Sequence, residues 1–548
     1  MSAIKKIICF FLIVIILPLQ GCIEKKQKVS LERDYTVYSI EKLPSDLDLI
    51  GGDNNEGEEL LYSLFEGLVK IDNETKDNKA GKIKIAPGIA EKWEISKDGC
   101  HYNFKIRNDA AWSDGTPITA NDFVGFFSAI LSPHYNNKYA EELYCIVGAK
   151  DFNQGKTGDF SKVAISASED GRTLSIGLYN KDASLIDILS EPQYCLRQFD
   201  ENLIKWKSSY NKIKYSGAYT INNVADNKNV MLVKNGMYWD KGNIRSSKIC
   251  ITTNDNNAAM AAFEPLNSVD VFSNPPASEY ENLLNNKQVA ITKLSIGAAL
   301  KFNLKNSSAG SNKNFRKAIN ESINRKDLCS KMGDDFVRAA LSYIPDTTNG
   351  APESGNLLRV NENRTQALEY LKQSNLPVNQ AITIVYLDTT ENNKISSYII
   401  DNIRQVIDNS SYSEMVIRKK PCDEEQLRKL INNDEYDILL TDYKGDYDSP
   451  EAFLTQWETN SQYNVTGYDN YIYNGLMDTM RIGGEPNKRV VYGKAQTILL
   501  DDMVIIPLFF KNLITCKKNY IHDLSVDKNG NVIINSIYPD EEKIVQIN

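Results

Sequence analysis

The segment from Ala86 to Phe127, APGIAEKWEISKDGCHYNFKIRNDAAWSDGTPITANDFVGFF, constrains the fold of this chain more tightly than any other. Residues alternate between two faces along Ala90 to Ile95 and Cys100 to Ile106, and Lys97-Asp98-Gly99 supplies turn chemistry between them, which predicts a hairpin. Trp112-Ser113-Asp114-Gly115-Thr116-Pro117 reads as a polar turn. Thr119, with Asp122 three positions on, matches a helix N-cap. Phe123, Phe126, Phe127, Ile130 and Leu131 then recur at i, i+3, i+4, i+7 and i+8. A hairpin feeding a core-facing amphipathic helix is therefore expected.

At the amino end, Lys5 and Lys6 precede an apolar run from Ile7 to Leu19, roughly 13 residues against the roughly 20 that a bilayer-spanning helix needs. The run closes on Leu19-Gln20-Gly21-Cys22, which resembles a lipobox. Residues 1–21 then form a lipoprotein signal peptide and Cys22 becomes the lipid-modified first residue, held by acyl chains at about 0.8 kcal/mol per buried CH₂. The polar stretch 22–33 reads as a tether, and the protein is expected on the extracytoplasmic face of the cell membrane. An uncleaved signal-anchor is the competing reading.

The chain beyond residue 21 is far longer than the about 250–300 residues one core serves, so two or three domains are expected. A net charge of −9 with signs mixed throughout argues against nucleic acid, which demands a basic face. Cys100, Cys145, Cys195, Cys250, Cys329, Cys422 and Cys516 contain no C-x-x-C pair; their irregular spacing suits small buried apolar residues better than a disulfide framework, with one bridge left open. His101, His134 and His522 have no metal-site spacing. Gly52 to Glu58 imitates a phosphate-binding loop but lacks its Lys and Ser/Thr. Asp527-Lys528-Asn529-Gly530-Asn531 reads as a hairpin turn, because its glycine stands at the fourth position of a calcium loop and not the sixth. No catalytic residue, metal or cofactor is assigned, and the chain is read as a binding protein and not an enzyme.

The order of signals in the opening segment, at Pro87, Ala90, Trp93, Ser96, Asp98, Gly99, Tyr102, Phe104, Arg107, Trp112, Asp114, Gly115, Pro117, Ala120 and Asp122, closely resembles the signature of the family 5 extracellular solute-binding proteins, the oligopeptide- and dipeptide-binding components of ABC importers. Further matches occur in the family's order: Phe65-Glu66-Gly67-Leu68 at the end of a helix expected over Glu58 to Val69, Gly217-Ala218-Tyr219, Asn235 to Trp239, Phe315 to Arg325, and Val504 to Phe510. Within Phe315 to Arg325, Arg316 and Arg325 are expected to make structural ion pairs. Glu66 is either a ligand group or part of the scaffold.

The resemblance implies an α/β, two-lobed periplasmic-binding-protein-like fold (type II, cluster C) with an extra subdomain and a hinge. Lobe I would be discontinuous, from 34–58, 195–297 and 506–548; 59–194 would form the extra subdomain and 298–505 lobe II. The implied function is capture of peptides in the interlobe cleft and delivery to ABC permease subunits with their ATPases, as a monomer. The same fold also hosts binders of nickel chelates, haem, sugars and opines, and a peptide-pheromone sensor without transport is a further alternative.

For the site, the resemblance points to Glu435 to Leu454. Strand, Gly445 break and the turn Asp446-Tyr447-Asp448-Ser449-Pro450 place Asp446 where peptide-binding members hold the ligand's α-ammonium group; a turn or capping role is the competing reading, and Asp448 fits it better. Tyr443 and Lys444 lie on the same strand, at which the family pairs its main chain with an extended ligand. Leu440 stands where an arginine would serve the ligand carboxylate. Tyr139 and Tyr144 are candidate cleft residues or ordinary packing; Asn464, with Tyr468 and Asn470, lines the cleft or caps turns.

Overall fold

The computed structural model describes residues 33–48, 57–72, 84–135, 137–181, 184–353, 355–408, 410–482 and 485–540. The signal sequence, Cys22, nearly all of the tether and most of the Gly52 loop lie outside them. Within them no helix is long and apolar enough to cross a membrane.

Two long strands rich in β-branched and aromatic residues, Val289–Phe302 and Ile505–Lys517, pair antiparallel and carry the architecture. On one side of them the sheet continues through Ile438–Lys444, Ala381–Leu387 and Val416–Cys422; on the other through Val271–Ser273, Thr36–Ile40, Lys248–Thr253, Asn229–Lys234 and Tyr219–Ala225. Each half builds its own core. One runs from Ala298 to Phe510, the other draws on Tyr38, residues 195–251 and 521–537. The pair is continuous but not regular. Lys293 faces Asn512 and Gly297 faces Phe510, so three residues of one strand oppose one of the other, and a second shift puts Pro507, which has no N–H to donate, at an irregularity. Arg338 and Thr347 donate to the Leu294 carbonyl in the first bulge, at 2.8 and 3.2 Å.

A third core spans residues 68–196. Its antiparallel sheet, in the order Ala90–Ile95, His101–Ile106, Thr173–Gly177, Ile165–Ala167, begins with the expected hairpin, turning at Gly99 with φ +75°. The Ala120–Ile130 helix starts as its sequence requires: the Thr119 N–H donates to the Asp122 carboxylate at 2.8 Å, and Phe123, Phe126, Phe127 and Ile130 are buried. The chain is thus α/β with two lobes and a smaller subdomain.

Two expectations need correction. The helix expected over Glu58 to Val69 covers Glu58–Leu64 only, and Val69–Asp72 is a strand. The chain leaves the helix because Glu66 is claimed by neighbours: its N–H donates to Ser216, its carbonyl accepts from Leu196, and its carboxylate accepts from Tyr238 and Trp239. Glu66 is scaffold. Arg316 and Arg325 are held mainly by carbonyls, of Gly310 and Asp502 for the first and of Pro507 and Arg359 for the second, which tie the helix Lys313–Ser322 to the end of the helix Glu485–Asp502 and the helix Arg325–Met332 to the strand Ile505–Lys517.

Candidate functional site

Strand Ile438–Lys444 ends where Gly445 packs against Ala452 and Phe453, with no room for a Cβ. The chain turns there, and Ser449 caps the helix Pro450–Leu454 by accepting from the Glu451 N–H. Asp448 does not cap, contrary to expectation: its carboxylate points inward and accepts from the Asn349 N–H at 3.0 Å. Asp446, one residue past the glycine, faces a cavity of about 910 Å³ between the subdomain and the lobe bearing the strand.

The subdomain wall carries Glu141, Glu142, Tyr144 and Lys150; the other wall carries Asp446, Glu451, Glu458, Tyr463 and Arg481. The walls touch beside the cavity, where Tyr447 and Ala452 enter the subdomain core and Ser184 lies 3.4 Å from Glu451. Glu451 is also paired with buried Lys488 at 3.3 Å. Arg481 is taken up by Glu458 at 2.6 Å and Asp478 at 3.3 Å.

Glu142 is the residue that sequence reasoning missed. It lies in the 3₁₀ turn Lys138–Cys145, where Oε2 accepts from the Tyr194 hydroxyl at 2.8 Å and the carboxylate is also hydrogen-bonded by the Gln193 side chain. Burial, reinforced by the nearby Asp446 charge, pushes its pKa well above the usual carboxylate range. The Tyr463 hydroxyl is hydrogen-bonded with Asp446, and burial followed by the Asp446 and Glu142 charges raises its pKa. No local signal marks Glu142, since what distinguishes it is Asp446, 304 positions away.

The other expected residues fall in different places. Tyr443 is a core residue, stacked on Tyr343 at 5.3 Å and donating to the Tyr343 carbonyl at 2.9 Å. Lys444 is half-buried near Asp527, and its carbonyl accepts from Gln456 at 2.7 Å. Tyr139 is buried in the subdomain, close enough to Asp446 and Glu142 for both charges, after burial and Glu58, to raise its pKa. Tyr144 lines the cavity and donates to Asn153 at 2.6 Å. Asn464 organises its own loop, donating to the Glu458 and Tyr468 carbonyls at 3.2 and 2.7 Å, while Tyr468 and Asn470 both donate to Asp502. Leu440 is buried against the strand that carries Leu300.

The model of the bacterial extracellular solute-binding proteins, family 5 Middle, matches residues 84–465. The chain is 26% identical to a dipeptide-binding protein, DppE, of Bacillus subtilis over 513 residues, covering 89% of this chain and 88% of that one. It is 25% identical to the oligopeptide-binding protein OppA of the same organism over 477 residues, covering 82% and 83%. Its fold is similar to that of the Escherichia coli murein tripeptide binding protein MppA, with a TM-score of 0.78 at 21% identity over 93% of this chain and 99% of that one.

Proposed function

The chain belongs to the bacterial extracellular solute-binding proteins of family 5, and from that premise we propose that it is the receptor of an ABC importer, binding peptides in the cavity between its subdomain and second lobe. Asp446 carries this reading: a carboxylate facing a cavity between two walls is suited to a peptide's terminal ammonium, and the volume falls within the range of ligand sites. Names of relatives that bind dipeptides and oligopeptides support the ligand class. Residues 298–505 would close as a lobe against the rest, bending at the bulge between Lys293 and Gly297. Lipid at Cys22 would hold the protein beside the permease that receives its cargo.

Titration calorimetry with short peptides and their N-acetylated forms tests the assignment. Acetylation removes the cation that Asp446 is proposed to bind and should weaken affinity about 100-fold, as should Asp446→Asn for the free-amine form. Equal affinity for both forms removes Asp446 from this role.

A further inference from the structure

We propose that Lys528 with Asp448, and Asp527 with Lys444, form a charge clasp across the hinge that holds the lobe bearing Ile438–Lys444 closed over the cavity. This rests on the peptide-binding reading above and names what sets its closure.

Each pair has one member on either side of the bulge at which the lobe would bend. Asp527 and Lys528 stand side by side in a turn of the core that includes residues 521–537, and both are buried. Lys444 ends its strand opposite Ile296, and Asp448 is buried in the turn past Gly445. The bulge itself joins the two sides: the Ser295 N–H donates to the Lys528 carbonyl at 3.1 Å, and the Ser295 hydroxyl lies 2.9 Å from that of Thr347. A little further along that segment, the Asn349 N–H donates to the Asp448 carboxylate. Asp448, Asp527, Lys528 and Glu191 line one cavity of about 10 Å³, room for about one water.

Glu191 aims the clasp. Its bond to Lys528 at 2.6 Å lies wholly on the far side of the hinge from Asp448, so it fixes the ammonium without resisting the motion. Against burial, the Glu191 charge and then the Asp448 charge raise the Lys528 pKa, and Asp187 adds a weaker pull from the Glu191 side. Burial raises the Asp527 pKa, while hydrogen bonds from Asn531 and then the Lys528 and Lys444 charges oppose it. The signs alternate across the seam, so both pairs attract at one hinge angle, and buried charges attract more strongly than the same charges in water. Opening lengthens both pairs and admits water between them.

The experiment is small-angle X-ray scattering of the peptide-free protein, with calorimetry of tri-alanine and penta-alanine, on the wild type, on Asp448→Asn and on the exchange Lys444→Asp with Asp448→Lys. Asp448→Asn keeps an acceptor for the Asn349 N–H and removes only the charge. The exchange conserves composition and net charge while setting like charges against each other. The radius of gyration should rise in Asp448→Asn and further in the exchange. Asp448→Asn should also bind the better peptide about 10-fold less tightly, because less of it is closed. If circular dichroism shows the exchange unfolded, Asp448→Asn with Lys444→Met replaces it and should be more open than Asp448→Asn alone. Scattering of the variants indistinguishable from that of the wild type overturns the clasp and leaves the peptide receptor standing. Open variants of a protein that binds neither peptide overturn the receptor reading and leave the clasp standing.

Discussion

The Lys528 ammonium meets the Glu191 carboxylate at 2.6 Å with both side chains buried, across 337 positions of sequence. Lys528 stands in the turn Asp527 to Asn531, whose backbone is organised by the Asp527 carboxylate accepting from the Asn529 and Asn531 N–H groups at 2.8 Å. The same turn accepts from the Ser295 N–H in the strand bulge and donates through Asn531 to Glu58. One short turn therefore ties the strand Val289–Phe302 to the subdomain and to the helix Glu58–Leu64.

Burial lifts the Glu191 pKa to about 8 even beside Lys528, so removing Lys528 leaves Glu191 buried without its cation and driven to take up a proton. Lys528→Met should lower stability by about 3–5 kcal/mol, and Lys528→Met with Glu191→Met should recover much of that loss. Urea denaturation of the two variants checks this. A double variant as unstable as the single one would show that the turn is held by its backbone and not by the ion pair.

Gly297 lies under the Tyr443 ring, and a Cβ there would be driven into the ring. Tyr443 has no freedom to retreat, being stacked on Tyr343 and bonded to its carbonyl. Gly297→Ala should therefore cost about 1–3 kcal/mol, and adding Tyr443→Leu should relieve part of the clash. Gly236→Ala, whose added methyl meets open space, is the control and should change stability little. If both glycine variants melt alike, the close approach at Gly297 is not a constraint.

How much of the structure was legible in the sequence depends on the range of the interactions involved. The hairpin Ala90 to Ile106 and the helix after Thr119 are set by neighbours a few positions away: alternation, a Gly99 turn and an Asp122 cap. The helix from Glu58 stopped early because Ser216, Leu196, Tyr238 and Trp239 act on Glu66 from more than a hundred positions downstream. Asp446 was singled out by the resemblance of its segment to the family's element, while the turn chemistry around it gave only the competing capping reading. Tyr443, two residues before the break, has the same local surroundings but points into a core made by Tyr343, Phe453 and Trp457. Strand alternation separates two faces without saying which one meets solvent, and Glu142 gains its character only when two lobes meet.

The anchor is tested by labelling. Cells expressing the full chain should incorporate radiolabelled palmitate into the protein, and Cys22→Ala should abolish incorporation. Labelling that persists in Cys22→Ala would sink the lipidation site.

Glu59 makes stability depend on pH. Its carboxyl lies near the Tyr38 hydroxyl at 3.4 Å, and burial, with smaller repulsion from Glu58 and Asp527, lifts its pKa to about 7 against hydrogen bonding that favours the anion. In the unfolded chain it titrates in the ordinary carboxylate range, near 4.5. Between those values the folded state binds the proton and the unfolded state does not, so the contribution is fully present below about pH 4.5 and is lost as pH rises through about 7. Glu59→Gln is neutral throughout. The Tm of Glu59→Gln minus that of the wild type should therefore rise between about pH 5 and about pH 8, because only the wild type must ionise a half-buried carboxyl. A difference that stays constant across that interval would mean that Glu59 titrates alike in both states, and that water reaches its carboxyl in the folded protein.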